Sequence, residues 1–174
     1  MLKLSDNEQR WYVANTCRQE KKIKQRLDNM GIENFIPFQQ VARKIHGVDK
    51  IIEVPVIPNL VFIRTTLKNC MILIQEYGFD MRYLRDRETG NFLVVPDKQM
   101  KDFIFLLDFS KEMVEVVNEN LKKGDKVRVI KGDFAGIEGE LVRVKGHKRV
   151  VVRLEGVVSL ATAYIPGSCL EKIE

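Results

Sequence analysis

KVRVIKGDFAGIEGELVRVKGHKRVVVRL, residues 126–154, is the stretch that decides how this chain folds. Val127 and Val129 alternate with Lys126, Arg128 and Ile130, the period of two that turns one strand face to a core and the other to water. Leu141, Val142 and Val144 resume that pattern after Gly132, Gly136 and Gly139, and Val150, Val151 and Val152 begin a third strand. Gly132 suits the positive φ of a tight turn. Gly136 and Gly139 permit a bulge or a close backbone crossing beside Phe134, an aromatic plug for a narrow core. The valines favour strand and the glycines penalise helix, so a stable small all-β barrel is expected.

Outward from this segment the character of the chain changes. Residues 108–121 carry one Lys or Arg against four Asp or Glu, without strong helical periodicity, and read as an acidic linker. The flanking parts are basic, with 17 cations against 13 anions in residues 1–107 and 11 against 7 in residues 122–174. The expected organisation is therefore an N-terminal domain over 1–107, a linker over 108–121 and the barrel over 122–174. A net charge of +5 permits auxiliary contact with nucleic acid but lacks the concentration of an autonomous high-affinity DNA binder.

In the N-terminal domain, residues 10–14 read as a strand, and Thr16 followed by Gln19 fits a capping box. Ile23, Leu27 and Met30 then form the apolar stripe of a helix that Gly31 ends, with Arg18, Lys21, Lys22 and Arg26 on its other faces. Residues 33–37, 39–46 and 50–56 are extended, with a hairpin tip at Gly47-Val48-Asp49, and residues 60–64 form a strand entered through Pro58-Asn59. Thr65 or Thr66 caps a second helix, in which Leu67, Met71 and Ile74 share a face before Gly78 stops it. A strand at 81–85, an extended 92–95 and a third helix bearing Met100, Phe103, Ile104 and Leu107 complete it. The alternation implies an α+β sandwich, helices packed on a mainly antiparallel sheet.

Chemistry-bearing motifs are scarce. No P-loop, G-x-S-x-G or H-E-x-x-H run occurs, and His46 and His147 lie far in sequence from the scattered Cys17, Cys70 and Cys169. No enzyme, metal or other cofactor is expected. Val56 to Ile63, the longest apolar run, is broken by Pro58 and Asn59, and no secretory signal is visible, so a cytoplasmic monomer without a membrane span is expected.

The glycine-spaced segment, Val129-x-x-Gly132-x-x-x-Gly136-x-x-Gly139-x-x-Val142, resembles a KOW motif, the SH3-like barrel of NusG-type factors and some ribosomal proteins. The N-terminal half extends the resemblance: Trp11-Tyr12-Val13, the helix starting near Arg18, and VPVIPNLVFIR at residues 54–64 look like the NGN domain of NusG. Pro58-Asn59, Gln19-Glu20-Lys21-Lys22 and Tyr83-Leu84-Arg85 are most like the specialised RfaH and UpxY paralogues, regulators of operons such as those for capsular polysaccharide.

The resemblance implies a transcription elongation and antitermination factor. Its NGN domain would bind the clamp helices of RNA polymerase, hold the closed elongating state and suppress pausing or termination. Asn15, Ile57, Leu60 and Leu84 match the polymerase-binding depression, or else are strand core. Arg18, Lys21, Lys22 and Arg26 would meet the non-template DNA, or else form a solvated helix face. Lys145, His147, Lys148 and Arg149 crowd the barrel's hairpin tip, as a contact for RNA or protein or as a polar turn. The barrel would recruit a ribosomal protein or a termination factor, although Val157-Val158 stand where relatives present an aromatic. The competing reading is an RNA-binding KOW protein of ribosomal type, without polymerase contact.

Overall fold

The computed structural model describes residues 7–109, 113–117 and 124–174. The chain divides into two compact units, Met1–Val95 and Pro96–Glu174.

In the first unit, β1 (Arg10–Asn15) precedes α1 (Glu20–Asn29), β2 (Asn34–Phe35), β3 (Phe38–Ile45) and β4 (Val48–Pro55). Then come β5 (Leu60–Thr65), α2 (Leu67–Gln75), β6 (Arg82–Tyr83) and β7 (Val94–Val95). β1 lies at the sheet centre, antiparallel to β5 from Arg10 opposite Thr65 to Asn15 opposite Leu60, with β6 and β7 on its other side and β2 beyond β5. Alternation sends Tyr12 and Ala14 of β1, and Val61 and Ile63 of β5, into a core with Ile23 and Leu27 of α1 and Cys70 and Leu73 of α2. Tyr83 stacks on Phe92 at 4.9 Å along the same core.

Local signals are realised unevenly. Thr66 caps α2, its Oγ1 accepting the Asn69 N–H at 3.2 Å, and Gly31 and Gly78 follow α1 and α2 with positive φ. The Thr16 cap is not formed. Thr16 is buried, Cys17 and Arg18 take left-handed backbone, and α1 starts after Gln19, whose side chain donates to Asp80 instead at 2.6 Å. In α2 the face turned inward centres on Cys70 and Leu73, leaving Met71 exposed, because Leu67 and Ile74 only flank the core. The β3–β4 hairpin forms a separate two-stranded sheet that turns at His46-Gly47, both in left-handed backbone, one residue earlier than the expected tip.

The second unit contains α3 (Asp97–Leu107), β8 (Val114–Val117), β9 (Asp125–Val129), β10 (Glu138–Val144), β11 (His147–Leu154), β12 (Val158–Tyr164) and β13 (Leu170–Lys172). Its antiparallel sheet runs β13-β9-β10-β11-β12-β8. The expected strands of the glycine-rich segment are all present. Gly139 lets β10 approach β11 so closely that a Cβ there would lie 2.5 Å from the Val151 carbonyl oxygen. Lys145-Gly146, both with positive φ, make the β10–β11 turn. Phe134 is buried and meets the Phe109 ring at 4.7 Å.

The architecture is α+β, an antiparallel sheet with helices in the first unit and, in the second, a six-stranded antiparallel sheet contacted by α3. The boundary differs from the one expected at residue 107. Helix α3 belongs to the second unit, where it contacts β11 and β12 and where Asp102, buried, accepts the Glu138 N–H at 3.2 Å. Nor are residues 108–121 wholly linker, since β8 lies within them; residues 110–112 and 118–121 of that stretch are outside the described residues.

Candidate functional site

One end of the first unit's sheet gathers the residues singled out in sequence. Asn15 and Leu60 are register partners on β1 and β5, and the Leu84 N–H bonds the Val13 carbonyl at 2.8 Å, which sets Leu84 beside β1. All three are half-buried. Ile57 differs: it is 6% exposed, so it is buried in this structure, and a charge there would strike packing.

The turn joining β4 to β5 fixes this end. Proline at 58 restricts φ, and Asn59 takes φ +64°, a left-handed conformation that asparagine tolerates better than most residues. Its backbone is held on both sides: the Asn59 N–H donates to Glu20 Oε1 at 2.7 Å, and its carbonyl accepts the Thr16 N–H at 3.0 Å. Glu20, buried at the start of α1, is thus spent on the turn. Asn15 Oδ1 in turn accepts the Cys17 N–H at 2.9 Å, so its side chain shapes the β1–α1 loop as well as the sheet end.

Beside the turn lies an open groove of about 890 Å³ between the start of α1 and the root of the β3–β4 hairpin. Val41, Val54, Val56 and Pro58 line it, and Arg18 and Arg43 supply cations. Arg43 escaped the sequence reading because only strand pairing folds β3 back against the α1 start.

The four cations singled out in sequence divide, Arg18 in the loop before α1 and Lys21, Lys22 and Arg26 on it. Arg26 stacks its guanidinium over Phe79 at 3.9 Å and donates to the carbonyls of Tyr77 and Gly78, closing the end of α2, which makes it a packing residue. Lys21 pairs with Glu53 at 3.2 Å and lies over Phe38. Arg18 and Lys22 are exposed. The sequence predicted a basic helix exterior, and tertiary partners divide its cations.

At the β10–β11 tip, His147 and Lys148 are exposed, whereas Lys145 and Arg149 both bind Glu115 of β8, at 3.1 and 2.7 Å. Two of the knob's cations thus share one carboxylate. Of the cysteines, Cys70 is fully buried, and burial pushes its thiol up to about 12 while its neighbour Tyr83 is pushed up further by the same cause. Cys17 is exposed, and among the described residues no group of His, Cys, Asp and Glu could hold a metal ion. No helix among them is long and apolar enough to cross a membrane.

Residues 9–104 match the family model described as NusG, transcription termination factor nusG. The chain belongs to the NusG family. That match takes in the whole sheet of the first unit, the Asn59 turn and most of α3. Among solved structures, a NusG of Thermotoga maritima, determined in work on its domain interaction, is 21% identical, with 96% of this chain and 98% of that chain covered and a TM-score of 0.44. A chain of the MjSpt4:Spt5 complex in conformation B is 19% identical, over 94% of this chain and 97% of that one, at a TM-score of 0.27. NusG proteins are transcription factors rather than enzymes, consistent with the site being a surface of apolar and cationic groups.

Proposed function

We propose that this NusG-family protein is an elongation and antitermination factor that binds RNA polymerase through the first unit and acts on a specialised operon, as RfaH and UpxY regulators do. The family match over residues 9–104 carries the reading, because it spans the sheet end and the turn that present Asn15, Leu60 and Leu84. Leu60 and Leu84 give the apolar contact to the clamp helices, Asn15 shapes its margin and Ile57 supports it from within. Arg18 and Lys22 face the non-template DNA, where cations neutralise phosphate with little sequence information. Lys21 adds to that field while bridged to Glu53, and Arg26 holds α1 to the end of α2. The effect on elongation is a population shift: tighter binding to the closed clamp than to the open one favours the closed state by that difference in affinity. The second unit recruits a further partner, and no covalent chemistry is involved.

The test is transcription of a long leader by purified core polymerase with and without the protein, scoring pausing and readthrough. Leu60→Glu is expected to abolish co-purification with polymerase and the readthrough gain while leaving the far-UV circular dichroism unchanged. Binding to RNA alone, with no effect on elongation complexes, would overturn the reading in favour of an RNA-binding KOW protein.

A further inference from the structure

The β3–β4 hairpin sorts its charges by face. Residues directly opposite in an antiparallel pair point to the same side, so the pairs Val41–Ile52, Arg43–Lys50 and Ile45–Val48 share one face. Both carboxylates of the hairpin lie on the other, where Asp49 stands opposite Lys44 and Glu53 pairs with Lys21 at 3.2 Å. The first face holds no acid. Arg43 and Lys50 are exposed there, and among the described residues neither side chain makes an ion pair or a hydrogen bond. Like charges opposite one another weaken a sheet, and a two-stranded sheet is marginal to begin with. Aliphatic pairs bracket these cations on both sides, with Val48 57% exposed. The same face runs into the groove at the hairpin's root, which Val41, Arg43 and Val54 line together with Arg18. Glu20, a carboxylate that also lines it, is buried and already accepts the Asn59 N–H.

We propose that this hairpin face and its groove form a docking site for a protein segment that carries carboxylates between aliphatic side chains. A carboxylate set between Arg43 and Lys50 removes their repulsion, and the segment's aliphatic neighbours cover the Val41–Ile52 and Ile45–Val48 pairs. A phosphate backbone is met by cations and polar groups in series, whereas here aliphatic residues flank a single cationic pair, which favours a protein over a nucleic acid. β3 and β4 form a sheet of their own, apart from the one that carries Asn15 and Leu60, so this contact is additional to the one proposed for polymerase.

The experiment uses the full chain without polymerase, so its outcome is independent of the polymerase reading. Two fluorescein-labelled peptides, LVEEVL and its neutral counterpart LVQQVL, are titrated and followed by anisotropy. The wild type is expected to prefer LVEEVL about tenfold. Lys50→Glu places a carboxylate opposite Arg43 within the hairpin; it should raise amide protection across β3 and β4 while weakening LVEEVL binding about tenfold. Ile52→Ser should weaken binding as well, and Ile51→Ser, on the opposite face, should leave it unchanged. Failure of LVEEVL to bind, equal binding of both peptides, or undiminished binding by Lys50→Glu would overturn the proposal. So would an equal loss from Ile51→Ser, or tighter binding of a single-stranded DNA dodecamer that displaces LVEEVL.

Discussion

Asp102 is the residue whose removal should weaken the second unit most for the fewest atoms lost. It is buried on α3, takes Lys98 Nζ on both carboxylate oxygens at 2.6 and 2.7 Å, and accepts the Glu138 N–H of β10 at 3.2 Å. Lys98 also donates to the Gly136 carbonyl at 2.9 Å, so one carboxylate organises the contact of α3 with the loop before β10. Asp102→Ala leaves the Glu138 N–H without this acceptor, a loss of about 1.5–3 kcal/mol for a hydrogen bond to a charged group. The Lys98 pair, half-exposed on the lysine side, adds only about 0.5 kcal/mol. A destabilisation of about 2–3.5 kcal/mol follows, confined to the second unit. Asp102→Asn keeps an acceptor for Glu138 and loses the charge, so roughly half of that cost should return. The measurement is urea denaturation followed by amide signals assigned separately to each unit. A change below about 0.5 kcal/mol for Asp102→Ala, or an equal effect on the first unit's amides, would refute the assignment.

Two further outcomes rest on packing and on burial. Gly139→Ala sets a Cβ 2.5 Å from the Val151 carbonyl and 3.0 Å from a Val150 methyl, so β10 and β11 must part; a loss of about 1–3 kcal/mol in the second unit should appear by thermal melting, with Gly146→Ala strained by its positive φ alone and not by contact. At pH 8 a thiol reagent should label Cys17 rapidly and Cys70 only on unfolding; because the folded Cys70 pKa is raised from 9.0 to about 12, its contribution to stability is complete below pH 9 and declines as pH rises toward 12, so Cys70→Ala should flatten the alkaline limb of the stability profile.

The strands of the glycine-rich segment, the β1–β5 pairing and the helix stops at Gly31 and Gly78 were legible because each rests on local rules: period-two alternation, β-branched propensity and glycine at positive φ. The same rules mislaid the start of α1. Thr16 and Gln19 had the spacing of a capping box, but Thr16 donates its N–H to the Asn59 carbonyl across the sheet, a partner no local pattern reveals.

By itself the sequence determined the α+β class, the order of elements and the resemblance of the N-terminal half to the NusG family, which the match over residues 9–104 bears out, since these follow from periodicities and motifs carried within a few residues of chain. Only the tertiary structure decided what individual charges do. Arg26 and Lys22 share one basic helix, yet Arg26 stacks on Phe79 from another element and Lys22 stays exposed; Lys145 and Arg149 stand in a cationic cluster, yet β8 brings Glu115 to both. A charge's role depends on what the fold brings within about 4 Å of it, and residues dozens of positions apart in sequence set that distance.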